Sequence, residues 1–165
     1  MQHVQTRSTT SALVLTAVLI ALATLFTMYT KIPVPGIRGY FNVGDVVIMT
    51  SALLLGRKYG AYIGAIGPAL ADLFLGYAVF VPITFVVKGI EGYLVGTVYN
   101  NKTTTSALVA TILGGIVIVA GYFIAEYFVF DPGVAIASIL TNTIQAVMSV
   151  IISMILYAIL RRRLA

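Results

Sequence analysis

Hydrophobic residues run along this chain in long blocks, separated by short polar joints. Six blocks can be drawn, at about residues 11–29, 43–56, 59–77, 81–99, 104–127 and 134–160. A helix needs roughly 20 apolar residues to cross a bilayer, and five of the blocks come close to that length or exceed it. The second is short, so it is expected to be tilted, broken or only partly inserted. The pattern predicts an all-α integral membrane protein: one domain over residues 1–165 with six transmembrane helices. The one long polar connection, Thr30 to Asn42, reads TKIPVPGIRGYFN. Its two prolines and two glycines rule out regular helix, which leaves an ordered, aromatic-bearing loop between helices 1 and 2.

Composition agrees with the pattern. The chain is 60% hydrophobic and 9% charged, with a mean hydropathy of +1.04, whereas a soluble domain carries about a quarter charged residues. The absence of cysteine excludes disulfides, thiolate metal sites and a cysteine nucleophile. The single histidine, His3, lies in the polar start of the chain. The first hydrophobic block is too long for a signal-peptide core and is expected to be retained. The net charge of +5 sits at the ends of the blocks and not on a soluble basic face, so it speaks for topology and not for nucleic acid.

Lysine and arginine orient the helices. With six spans, one side collects Arg7, Arg57, Lys58, Lys102, Arg161, Arg162 and Arg163, and the other Lys31 and Arg38. Both termini are therefore expected in the cytoplasm, with the Thr30–Asn42 loop outside. Counting inward at 1.5 Å per residue, Lys88 lies roughly 10 Å and Glu91 roughly 15 Å below the outer surface. Asn142 and Gln145 lie at matching depth on the sixth helix with the same i,i+3 spacing. Asp72, Asp45 and Glu126 also fall in the outer half, as do most aromatics, among them Tyr40, Phe41, Phe74, Tyr77, Phe80, Phe85, Tyr122 and Tyr127. The inner half carries mainly hydroxyls. The expected shape is a polar, aromatic-lined cup opening outward over an apolar floor.

A charge deep in a membrane costs several kcal/mol to insert, so Lys88 and Glu91 are candidates for function. The bland alternatives are an ion pair within their helix, or Lys88 neutralising Asp72 on the third helix while Glu91 faces a ligand. Asn142 and Gln145 offer uncharged donors and acceptors, suited to the ring nitrogens and hydroxyls of a neutral polar heteroaromatic solute, or alternatively to interhelical bonding. Small-residue pairs recur at four-residue spacing: Ala17 and Ala21, Gly60 and Gly64, Gly92 and Gly96. For the glycines, close packing inside the chain is the expected use. No phosphate-cradling G-x-x-x-x-G-K-[ST] loop, H-E-x-x-H or G-x-S-x-G occurs, so the chain does not hydrolyse ATP itself and carries no signature of an enzyme.

The order of IPVPGIRGYFNVGDVVI, GAIGPALADLFLGY, PITFVVKGIEGYLVG and Asn142-x-x-Gln145 resembles the substrate-binding S components of energy-coupling factor (ECF) vitamin transporters. Within that family the chain is most similar to the hydroxymethylpyrimidine, pyridoxine and riboflavin group. The resemblance implies a six-helix protein of the bacterial plasma membrane that holds its vitamin beneath the loop joining helices 1 and 2. Its implied partners are a transmembrane coupling subunit and two cytoplasmic ATPases, which supply the ATP chemistry; no cofactor belongs to the chain itself. The alanine pair in TAVLIALAT resembles the motif by which S components dock on that subunit, which assigns Ala17 and Ala21 to a partner surface. The substrate-binding set implied is Lys88, Glu91, Asn142 and Gln145, with Tyr40, Phe41 and Asn42 from the loop and Phe85 and Tyr122 as stacking aromatics. Asp72 and Asp45 serve as structural polar partners. Hydroxymethylpyrimidine or a B6 vitamer is the expected ligand, with riboflavin as the alternative. A stand-alone ion-coupled carrier or channel, with Lys88, Glu91 and Asp72 as a charge relay, is the alternative of a different class.

Overall fold

A computed structural model describes residues 9–33, 40–100 and 103–164. Six helices follow one another: α1 (Thr9–Tyr29), α2 (Asp45–Leu55), α3 (Arg57–Phe74), α4 (Phe80–Val98), α5 (Thr104–Val129) and α6 (Pro132–Leu164). They match the six hydrophobic blocks to within a few residues. α1, α4, α5 and α6 are long and apolar enough to cross a membrane. Arg7, Arg38 and Lys102, three of the cations that bear on orientation, lie outside the described residues.

The polar connection departs from a purely helical chain. Ile32–Pro33 (β1) pairs antiparallel with Tyr40–Phe41 (β2), Ile32 opposite Phe41 and Pro33 opposite Tyr40. A residue before proline is pushed toward extended backbone, and Ile32 occupies that position. Because proline has no N–H to give a ladder, the hairpin is short.

The brevity of α2 has a structural reason. Nine of its eleven residues are buried, so it is walled by protein instead of lipid, as a helix apolar on all sides requires. Met49, Ala52 and Leu53 join a core with Val95 of α4, Tyr99 just past its end, Ala107, Ala110 and Ile118 of α5 and Ala146 of α6. Val47 and Ile48 join a second core with Ala23 of α1 and Ile63 of α3. Gly56, at φ +89°, breaks α2 from α3 with a backbone that L side chains rarely adopt.

α3 ends at Phe74, three residues short of its hydrophobic block. Gly76 takes φ +82°, and the Tyr77 N–H reaches back to the Asp72 carbonyl at 2.8 Å. This is a glycine-terminated helix end of the Schellman type.

α3 and α4 meet backbone to backbone. A Cβ added at Gly92 would lie 2.1 Å from the Gly60 carbonyl oxygen, and one at Gly64 would lie 2.2 Å from the Lys88 carbonyl oxygen. One at Gly96 would lie 2.4 Å from the Arg57 nitrogen. The glycine pairs therefore pack inside the chain, as expected, and hold Lys88 against α3.

Candidate ligand-binding site

A cavity of about 40 Å³ lies at the end of the helix bundle that carries the hairpin. Its walls follow helical periodicity. α4 contributes Phe80, Thr84 and Lys88; α5 contributes Tyr122 and Glu126; α6 contributes Ser138, Asn142 and Gln145. Steps of three or four residues keep each set on one face. Thr27 of α1, Pro68 and Asp72 of α3, Tyr40 of β2 and Asn42 complete the lining.

At the floor, the Lys88 ammonium donates to the Asp45 carboxylate at the start of α2, and both side chains are buried. The Gln145 amide donates to the other Asp45 oxygen at 2.7 Å. Its carbonyl oxygen accepts from the Asn42 backbone N–H at 3.0 Å. The Asn42 side chain in turn accepts from the Gly44 N–H at 2.9 Å. These bonds tie the chain leaving the hairpin to α6 and fix where α2 begins. Asn142 lines the wall without the bonds that pin Gln145.

Higher on the walls, the Tyr40 hydroxyl donates to Asp72 at 2.6 Å. Burial, and after it the Asp72 charge, push the Tyr40 hydroxyl far above the ordinary tyrosine range, so it stays a neutral donor. Tyr40 packs on Tyr77, and the Lys31 ammonium lies 4.7 Å from the Tyr77 ring centre and 5.8 Å from that of Tyr40. Tyr122 shares a hydrogen bond with Thr84 at 2.9 Å, and its ring faces the Lys88 ammonium at 5.5 Å. Ser138 donates to Glu126, joining α6 to α5. Thr27 presents a buried hydroxyl with no hydrogen-bond partner among the described residues.

Four expectations are corrected. Lys88 bonds Asp45, not Asp72, whose partner is Tyr40: height along α3 and α4 matched, but the rotation of α4 turns the ammonium toward α2. Glu91 does not line the cavity. It sits behind Lys88, 3.7 Å from the ammonium and fully buried, and among the described residues neither carboxylate oxygen has a hydrogen bond. Phe85 is half exposed on the outside of α4, one position past the cavity face. Phe41 is likewise absent from the lining, since its neighbour Tyr40 takes the inward side of the strand. Thr27, Pro68, Thr84 and Ser138 belong to the cavity although the sequence did not single them out. The signal lay in the register: Thr84 is four residues before Lys88, and Ser138 four before Asn142. Among the described residues no cluster of three or more metal-ligating side chains occurs.

A family model described as "ECF-type riboflavin transporter, S component" matches residues 7–162. The chain belongs to the S-component family of ECF transporters. It is 30% identical over 148 residues to the "Thiamine precursor transporter HmpT" of Lactococcus lactis subsp. cremoris, covering 89% of this chain and 83% of the relative. It is 42% identical over 144 residues to an uncharacterized protein of Pyrococcus woesei, covering 86% and 95% respectively. Two solved folds are similar. An S component of a bacterial ECF transporter aligns with a TM-score of 0.76 at 22% identity, over 94% of this chain and 98% of that one. The S component for biotin from an ECF-type ABC transporter aligns with a TM-score of 0.60 at 21% identity, over 91% and 94%. The S component is thus a transport subunit with several membrane-spanning helices, not an enzyme, and serves the uptake of a vitamin or precursor.

Proposed function

We propose that this S component captures a small azaaromatic thiamine precursor, of the hydroxymethylpyrimidine type, in the hairpin-end cavity. The observation that carries this reading is the cavity itself: charged, amide, hydroxyl and aromatic side chains from five helices and the hairpin converge on one small space. The lining is predominantly polar, with Tyr40, Phe80 and Tyr122 as its ring faces, and placed polar groups are what fix a ligand's orientation in a small-molecule site. Asn142 and Thr27 supply polar groups not used up by internal bonds, Tyr122 and Phe80 supply ring faces, and Gln145, Asn42, Lys88 and Asp45 hold the floor in shape. The likeness to a thiamine precursor transporter supports the substrate class, since thiamine is a pyrimidine joined to a thiazole.

In this reading the hairpin faces outward, both termini are cytoplasmic and six helices sit in the plasma membrane as one domain. A coupling subunit docks on the exposed Ala17 and Ala21 face of α1, and two partner ATPases drive uptake. No cofactor sits in the chain. A B6 vitamer is likewise a small azaaromatic ring with methyl and hydroxymethyl groups and is the nearest alternative. Riboflavin is favoured by the family's description. Against it, about 40 Å³ holds only about three waters at 10–15 Å³ each, so any ligand must displace side chains, and a three-ring flavin far more of them than a single ring.

Calorimetric titration of the purified protein with hydroxymethylpyrimidine, pyridoxine and riboflavin tests the proposal. Submicromolar binding of the pyrimidine is expected. Binding weaker than micromolar to all three would sink it. Uptake by the chain alone in liposomes, without ATPases, would favour the ion-coupled carrier instead.

A further inference from the structure

The chain holds five acidic residues in total and carries a net charge of +5. Four of the five converge on the cavity. Asp72 and Glu126 line it, each 3% exposed, and Asp45 and Glu91 lie behind Lys88, each 0% exposed. Among the described residues, the cavity of this basic chain is thus acidic. Among the described residues Lys88 is the one cation in the lining, and it is engaged by Asp45 with Glu91 3.7 Å away. Lys31 stays at the rim over the Tyr77 and Tyr40 rings. Among the described residues, neither Asp72 nor Glu126 has a cation within ion-pair distance. Their partners are hydroxyls: Tyr40 and Thr84 for Asp72, and Ser138 for Glu126.

Buried carboxyl groups lacking a matching cation are costly. They favour a ligand that brings donors or positive charge and reject one that brings negative charge. We infer that this cavity selects an amino-bearing, protonatable azaaromatic ring, with Asp72 and Glu126 as the acceptors for its donor groups, and excludes phosphorylated or carboxylated forms of the same ring. The inference rests on the azaaromatic reading above and narrows it. A phosphate monoester would add up to two negative charges within reach of carboxylates that Lys88 cannot offset, since Asp45 already occupies it. An oxo group in place of the amino group would set an acceptor against an acceptor, and a site built to bond a donor discriminates strongly against a ligand lacking it.

Three probes decide the matter on the unmodified protein: hydroxymethylpyrimidine with its exocyclic amino group, the analogue with an oxo group in its place, and the phosphate monoester. Calorimetry should place the oxo analogue at least about tenfold weaker and the ester at least about a hundredfold weaker than the amino compound, tenfold being about 1.4 kcal/mol. Glu126→Gln should cost the amino compound at least about tenfold and leave the oxo analogue within about threefold. Its melting temperature, and that of Ser138→Ala, reports separately on the α5–α6 joint. Equal affinity for amino and oxo compounds, or for alcohol and ester, overturns the inference while the ligand class stands. Equal loss of both analogues in Glu126→Gln overturns the role of Glu126. Failure of all three probes to bind defeats instead the azaaromatic reading on which the inference rests.

Discussion

The Lys88 ammonium and the Asp45 carboxylate form an ion pair across α4 and α2 with no solvent at either end. Attraction offsets the desolvation of such a pair only when both partners are present. Removing one partner typically costs about 3–5 kcal/mol. Lys88→Met should reach that range, because it strands Asp45 and Glu91 together. Asp45→Asn should cost less, since Glu91 remains 3.7 Å from the ammonium. Thermal unfolding in detergent checks the order of the two variants.

Gly92→Ala forces a methyl group to within 2.1 Å of the Gly60 carbonyl oxygen. The expected destabilisation is about 1–3 kcal/mol. At Gly89 the nearest atom is the Ala65 Cβ at 3.2 Å, and the better helix propensity of alanine is worth up to about 1 kcal/mol. Gly89→Ala should therefore melt close to the unmodified protein. Comparing the two melting temperatures separates backbone contact from glycine as such.

Asn142→Ala should weaken hydroxymethylpyrimidine by about tenfold, the worth of one hydrogen bond, and leave the melting temperature nearly unchanged. Gln145→Ala should lower both, because its amide bonds Asp45 and the Asn42 backbone. Calorimetry with parallel melting curves tells the two apart.

Tyr40→Phe removes the donor to Asp72 and should cost about 1.5–3 kcal/mol, the usual worth of a bond to a charged group. The Tyr40 hydroxyl is shifted upward, first by burial and then by Asp72. A raised pKa in the fold stabilises below the unfolded tyrosine value of about 10 and is lost as pH climbs above it. The stability difference between wild type and Tyr40→Phe should thus be flat at neutral pH and shrink in strong alkali, read by urea unfolding at stepped pH.

Phe85→Ala should leave ligand affinity within about twofold, since the ring is half exposed on the far side of α4. Surface changes away from special features stay within about ±0.5 kcal/mol. The titration used for Asn142→Ala measures this as well.

Much of this arrangement could be read from the chain before its fold. Hydrophobic block length located all six helices, and the pairs Lys88/Glu91 and Asn142/Gln145 pointed to the end of the bundle where Lys88, Asn142 and Gln145 line one cavity. Height along a helix follows from counting residues, whereas direction around it does not. This is why Glu91 was placed at the ligand and Lys88 opposite Asp72. Asp45 could not be recognised as the partner of Lys88, because it is the first residue of α2 and the placement of that helix's start depends on the preceding connection, which no periodicity describes. Thr84 and Ser138 were passed over because a hydroxyl in an apolar helix usually bonds a carbonyl of its own preceding turn. Their spacing from Lys88 and Asn142 carried the missing information.

The glycine seam between α3 and α4 divides the cavity wall into a fixed half and an adjustable half. Where main chain rests on main chain, there is no side chain to exchange, so the wall bearing Asp72, Thr84 and Lys88 has little freedom to shift. The walls from α5, α6 and the hairpin meet through side chains that can be replaced one at a time. Redirecting this scaffold to a new cargo is therefore a task for Tyr122, Glu126, Ser138, Asn142 and Tyr40, with the seam kept as the frame on which they are remounted.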